Sequence, residues 1–374
     1  MRVRTFRLAA LSLATVALAL GTSVTPAQAG ATEAGQFSDT ARSSAHNTVS
    51  AITDRLARQL ASSLADDARQ AGLFSAAATQ GVNLATVDAS PALASVVARA
   101  NRAVLDTKGL PSDGTSLLQI RLANPDAQAA LARGTAPLIA ASPTDDAVTS
   151  VTAYDLSSGA KVLLDTSRLP QRPLFLVEVD TERAVPIGLK VMRAMFDTHG
   201  LGSAKSDVTP QGGYWANQVT AIRLAVDHEP DIKGAAEIFG IAGGFGFDSH
   251  VRVDTVTMPY LDYDGRTYYP NQVIVHYGFY KYNFADFVMY EDDGDTNYRD
   301  LATALINALL YIVDQGAYQA LVNAIINAMP NEWWTDDPDY TDSWYSLSTG
   351  SSGRFYGAAG NGWMDIRPYW IEQF

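Results

Sequence analysis

Between positions 283 and 348 the chain reads strand, acidic run, two striped apolar stretches, acidic run, strand. The runs are YEDDGDTN at 290–297 and TDDPDYTD at 335–342. Between them, Leu301, Leu305, Leu309 and Ile312 recur at helical spacing, as do Tyr318, Leu321, Val322, Ile325 and Met329, with a turn signal at Asp314-Gln315-Gly316. Asparagines interrupt both apolar stripes, which argues against a membrane-crossing hairpin. The pattern predicts an antiparallel pair of helices of about 13 to 17 residues each, packed about 8–10 Å apart. Such a detour returns the chain to where it left. The flanking strands can then be neighbours, and the two acidic runs can meet. A strand-rich fold with an inserted helical hairpin over 297–329 follows.

The rest of the second half supports this frame. HVRVDTVTM and NQVIVHYGFYKY alternate, with Asp264-Gly265 between them as a hairpin signal. In the second run Val273, Val275, Tyr277 and Phe279 are expected on one face, His276 and Tyr280 on the other. NFADFVMYE, DSWYSLS and WMDIRPYW add strands, and the turn spacing favours an antiparallel sandwich. GIAGGFGFDSH joins two strand-like runs without opening a helix, so a bulge or long turn is expected there rather than a phosphate loop. Upstream, Val49, Ile52, Leu56, Leu60 and Leu64 mark a long amphipathic helix. Ser90-Pro91 opens a second helix that stops at Gly109-Leu110-Pro111. LLQIRLA, APLIAAS, SVTAYDL, AKVLLD and PLFLVEVD then read as short strands, and ERAVPIGLKVMRAMFDTHG as a closing helix. The fold class is α+β: N-terminal helices over 30–112, a small α+β module over 113–205, and a β-sandwich over 214–374.

The amino terminus carries Arg2, Arg4 and Arg7, then LAALSLATVALAL, then Ala27-Gln28-Ala29. A basic start, a short apolar run and a small-residue cleavage site predict a signal peptide over 1–29, and hence a secreted or cell-envelope protein with no transmembrane segment after cleavage. The chain has no cysteine, so disulfides, thiolate metal sites and cysteine nucleophiles are excluded. From Val219 onward there are 22 Asp and Glu against 8 Lys and Arg. An acidic half without a basic stripe argues against nucleic acid as a partner. An extracellular ligand or protein is expected instead.

The acids carry the candidate chemistry. His228-Glu229 begins like a zinc-hydrolase helix, but Ile232 stands where the second histidine belongs and Pro230 breaks the helix. Asp293-x-Asp295-x-Asn297 begins like an EF-hand, but Tyr298 replaces its glycine and Ala304 its final glutamate. Glu291, Asp292, Asp293, Asp295, Asp336, Asp337 and Asp339 nevertheless offer oxygen donors at the spacing a hard cation takes, and crowded carboxylates call for a neutralising charge. Calcium is the expected cofactor, with Asp227, Glu229 and Glu237 as further ligand candidates. Acidic turns also occur as ordinary solvated surface and as caps. No G-x-S-x-G elbow is present. The function class expected is a structural or ligand-binding role with calcium; the alternative is a secreted metal-dependent hydrolase using the acidic cluster.

DHEP with GAAEIF, MPYLDYDGRTYYPNQ, YEDDGDTNYRDL, AMPNEWW, DDPDY and GAAGNGWMDIRP, in that order, resemble an uncharacterised family of secreted bacterial proteins, a domain of unknown function. The resemblance implies a fold shared over most of the mature chain but no activity to carry over. The second half is also loosely similar to C2-like calcium-binding β-sandwiches, in which acidic strand ends converge on one edge. The helical insertion departs from that pattern.

Overall fold

The computed structural model describes residues 48–65, 70–144, 148–202, 212–226, 232, 236–292, 294–328 and 339–372; of residue 339 it describes the backbone. Expectations for 1–29, Asp227, Glu229, Asp293, Asp336 and Asp337 lie outside the described residues. Three sheets carry the chain. The first is mixed, in the order β1 (Val82–Asn83), β2 (Leu118–Leu122), β6 (Leu174–Val179), β3 (Leu138–Ala141), β4 (Ser150–Asp155), β5 (Lys161–Asp165), and only β3 and β6 run parallel. The second and third are antiparallel: β12 (Asp339–Ser348), β11 (Phe284–Glu291), β8 (Ile238–Phe245), β9 (Val251–Thr257), and β10 (Gln272–His276), β7 (Tyr214–Leu224), β14 (Gly362–Ile371), β13 (Gly353–Tyr356). The fold is α+β, as the periodicities indicated.

Three hydrophobic clusters hold these sheets, the smallest of them (Leu138, Ala140, Ala153, Leu174, Leu176 and Ile232) on one face of the mixed sheet. Val219, Ile222, Ile274, Phe287, Met289, Trp344 and Met364 fill the space between the two antiparallel sheets, which makes the expected sandwich. The opposite face of β8, β9 and β11, with Phe239, Ile241, Phe245, Val253 and Val288, shares a core with helices and with one face of the mixed sheet. Those helices are α1 (Val49–Leu64), α2 (Gln70–Ala77), α3 (Pro91–Thr107), α5 (Thr181–Thr198), α6 (Tyr298–Leu309) and α7 (Val322–Ala328), while the one-turn α4 (Gln128–Ala132) buries none of its residues. Both faces of β8 and β11 are thus covered, which is why their sequences are continuous apolar runs rather than alternating ones.

Local sequence explains the helix starts and stops. Thr48 and Ser90 cap α1 and α3 with their hydroxyls, and Pro91 occupies the first turn of α3, where its missing N–H costs nothing. α3 stops at Gly109, whose φ of +64° is open to glycine at little cost. There α6 begins: Tyr298 N–H donates to Lys108 O at 3.1 Å, and Arg299 Nε to Gly109 O at 2.7 Å. The carbonyl end of one helix meets the amide end of the next, which brings helix-dipole ends of opposite sign together.

Four expectations are corrected. The second helix of the 297–329 insertion, described over Val322–Ala328, does not take in Tyr318 and Leu321, because Ile312 to Leu321 run as turns and extended chain around Gly316. Asp264-Gly265 makes a turn, with Gly265 at φ +62°, but it joins β9 to β10, which belong to different sheets. The expected face alternation in β10 is broken by a bulge between Val273 and Val275 and by a 3-10 turn at Tyr277–Phe279, so Tyr277 and Tyr280 are both buried. GIAGGF is a strand, not a turn: an added side-chain carbon at Gly240 would come within 2.1 Å of the Phe287 ring, so glycine makes room for a core aromatic.

Candidate functional site

The two parallel strands end together. β3 leads into Ser142-Pro143-Thr144, and β6 leads through Asp180 into α5. Asp180 caps that helix, its carboxylate accepting from Arg183 N–H at 3.1 Å. At the carboxyl ends of these strands lies a cavity of about 550 Å³. This is where open α/β sheets hold ligands, because the chain must leave the sheet there and loops close around the gap.

Its floor is an array of three planar polar side chains. Gln119 and Arg121 of β2 and Glu178 of β6 project from the sheet face opposite the helical core, because Leu118, Ile120, Leu122, Val177 and Val179 take the other side. Arg121 Nε donates to Glu178 Oε1 at 2.6 Å, and Gln119 Nε2 to the same oxygen at 3.1 Å. Burial pushes the Glu178 carboxyl above its ordinary range, opposed by the Arg121 guanidinium and by both hydrogen bonds. Gly81 lines the cavity beside them: a side-chain carbon there would come within 2.3 Å of Gln119 Oε1. Thr144, Glu182, Glu237 and the exposed ring of Tyr263 form the walls, with Asp292 and Gly294 from the loop after β11.

That loop is the first acidic run. Glu291 closes β11 and lies across the ladder from Asp339, so the detour through 297–329 does bring the ends of the two acidic runs together. Glu291 and Asp292 are fully buried. The Asp292 backbone N–H donates to Glu237 O at 3.1 Å, which joins the Glu237 segment to the loop. The charge facing Asp292 is Lys108, also fully buried. Lys108 Nζ sits 3.4 Å from Asp292 Oδ1, donates to Gly294 O at 2.7 Å, and lies 5.3 Å from the centre of the Tyr298 ring. Burial would raise the Asp292 carboxyl, but the ammonium and hydrogen bonds from Tyr298, Gly294 and Thr296 hold it below its ordinary range. Asp295 accepts from the first amide of α1, Val49 N–H, at 2.9 Å and from Thr144 Oγ1 at 3.2 Å. Burial nonetheless raises its carboxyl. Asp292 and Asp295 thereby tie α1, α3 and the post-β3 loop to one wall of the cleft.

Among the described residues, no group of three or more His, Asp or Glu side chains is arranged to hold a metal ion, and no helix is long and apolar enough to cross a membrane. Asp292 and Glu237, singled out in the sequence as calcium-ligand candidates, line this cleft and Asp295 stands beside it, whereas Gln119, Arg121, Glu178 and Lys108 were not singled out. A signal for the floor was present. LQIRL and LFLVEV each place charge at an interior position of an apolar strand. A charged side chain in such a strand requires a partner. No signal pointed to Lys108, 184 residues from Asp292.

No curated protein and no solved structure matches the chain. A family model described as a protein of unknown function, DUF3103, matches residues 45–374. The cleft and every element around it fall inside that match, and the chain belongs to the DUF3103 family.

Proposed function

We propose that the protein is exported and acts as a binding module, its polar cleft taking a small hydroxyl-rich ligand such as a sugar. The observation that carries this reading is the fixed Arg121–Glu178–Gln119 array on the floor of a cavity of about 550 Å³. A ring of hydroxyls asks for planar donors and acceptors already oriented, so that little side-chain freedom is lost on binding. Thr144, Glu182 and Glu237 add further polar groups, and Tyr263 offers an aromatic face for the apolar side of a sugar ring. The basic and apolar leader supports export.

Calcium belongs to the same proposal. The Glu291–Asp339 register supports an ion held between the two acidic runs, by Glu291, Asp293, Asp336, Asp337 and Asp339. Asp292 and Asp295 then act in the cleft wall rather than as ligands. Chelation should lower the melting temperature, and Asp293→Ala with Asp337→Ala should abolish that dependence. A melting curve indifferent to chelator removes the ion from the account.

A thermal-shift screen of monosaccharides and short oligosaccharides tests the cleft. Wild type should be stabilised by at least one of them and the Arg121→Ala variant by none. Equal shifts in both proteins would place the ligand elsewhere. A second reading, different from the metal-dependent hydrolase expected from the acidic cluster, is an acid-catalysed hydrolase: Glu178 lines the cleft, and burial raises its carboxyl, which favours a proton donor. Release of a smaller product from the ligand identified by the screen would decide for it.

A further inference from the structure

The third sheet departs from the charge of its surroundings. Its four strands, β10, β7, β14 and β13, hold three arginines and a single acid, Asp365. Yet from Val219 onward acids outnumber bases by 22 to 8. Strand parity puts these charges on one face. Met364 and Ile366 of β14 point into the sandwich core, so Trp363, Asp365, Arg367 and Tyr369 point away from it. In register, Trp363 lies between Arg223 of β7 and Tyr356 of β13, and Asp365 lies beside Arg354 of β13. Arg223, Arg354 and Arg367 are all exposed.

Each guanidinium is anchored through Nε. Arg223 Nε donates to Gly265 O at 2.7 Å, and Arg367 Nε to Gln218 Oε1 at 2.7 Å. Gln218 is held in turn, its Nε2 donating to Asn271 O at 2.8 Å. Arg354 makes two bonds to Asp365, both of 2.8 Å, with its guanidinium carbon 3.5 Å from the centre of the Trp363 ring. Asp365 thus answers one of the three positive charges. Among the described residues, the terminal nitrogens of Arg223 and Arg367 have no protein acceptor. Both forks are fixed at one nitrogen and open at the others, ready for a carboxylate or sulfate.

The layout of the face narrows the ligand. Tyr356 at one end is 71% exposed, and Tyr369 at the other is 40% exposed. The row of Tyr356 and the row of Tyr369 stand six residues of β14 apart, about 20 Å in an extended strand. Aromatic rings at the ends and guanidinium forks between them suit an extended chain of sugar rings bearing acid groups. The rings take the apolar faces of the sugars and the forks take their anions. The acids elsewhere do not forbid this, because exposed charges more than about 8 Å away are largely screened at physiological ionic strength. They do weigh against nucleic acid, whose dense phosphate charge calls for more cations than this face offers.

We infer that the outer face of the third sheet binds an acidic polysaccharide, its carboxylates or sulfates held by Arg223 and Arg367. The face shares no residue with the polar cleft, so either reading can fail without the other.

Biolayer interferometry of the full chain on immobilised polygalacturonate tests it, with the fully methyl-esterified polymer as the uncharged counterpart. Wild type should bind polygalacturonate and not the ester, and added salt should weaken the binding. Arg223→Gln combined with Arg367→Gln should weaken it at least about fivefold, because two charge-assisted forks are lost. Arg99→Gln combined with Arg102→Gln removes two exposed charges from α3 and should leave binding within about twofold. Melting temperatures confirm that the variants fold, and the comparison of the two polymers needs no variant. No binding by wild type, equal binding to the ester, undiminished binding by the folded Arg223 and Arg367 double variant, or tighter binding to single-stranded oligothymidylate would each overturn the inference.

Discussion

Lys108 and Asp292 are 184 residues apart in sequence and both fully buried, one ending a helix and the other following a strand. Desolvating two charges is expensive, and removing one partner leaves the other uncompensated, at a cost of about 3–5 kcal/mol. Lys108→Met should therefore destabilise the protein by about that amount in urea unfolding, and adding Asp292→Asn should recover a large part. A single substitution costing under about 1 kcal/mol would mean that the pair does not hold the cleft wall. Glu178 makes a pH prediction. Its folded carboxyl titrates above the unfolded one, so between those two values the folded state binds more protons. Its contribution to stability then falls as pH rises through that window. Wild type should lose stability relative to Glu178→Gln as pH rises above the ordinary glutamate range, and parallel curves would count against a buried, titrating carboxyl. At this scale the sequence was legible only in part. Asp292 and Asp295 stood out as acids, but their partners lie on α3, α1 and the post-β3 loop, and no local pattern encodes such distant contacts.

The elements were more legible than their pairings. The stripe from Val49 to Leu64, the Ser90-Pro91 start and five of the six strands of the mixed sheet, β2 to β6, all form where periodicity and caps put them, because those signals act within a few residues. The second helix of the insertion failed because Tyr318 and Leu321 are apolar for another reason. Tyr318 packs on Phe245, Tyr282 and Phe284, and Leu321 N–H bonds Asp286 in β11. Helical spacing there reflects a packed loop. β8 was obscured by its glycines, which read as a turn until the Phe287 and Tyr280 rings that overlie Gly240 and Gly244 are known. Gly240→Ala forces a methyl toward the Phe287 ring and should cost about 1–3 kcal/mol, measured by urea unfolding with an unchanged slope. A neutral result would mean that Phe287 can move aside.

Across the whole molecule one core joins segments that look separate in sequence: α1 and α3, the mixed sheet, α5 and α6, and the outer face of the β8–β11 pair. Calorimetry should show a single transition whose van't Hoff and calorimetric enthalpies agree. The isolated 214–374 segment should expose Phe239, Ile241, Phe245 and Val288 and bind hydrophobic dye. Two resolved transitions, or a dye-silent isolated segment, would contradict the shared core. The layer order was not legible because an apolar run shows that a strand is covered but not by what. The central claim remains the polar cleft, and a crystal structure with the best ligand from the sugar screen tests it most directly. The account predicts ligand density within hydrogen-bonding distance of Arg121 and Glu178; ordered ligand elsewhere on the protein, with the cleft holding only water, would contradict it.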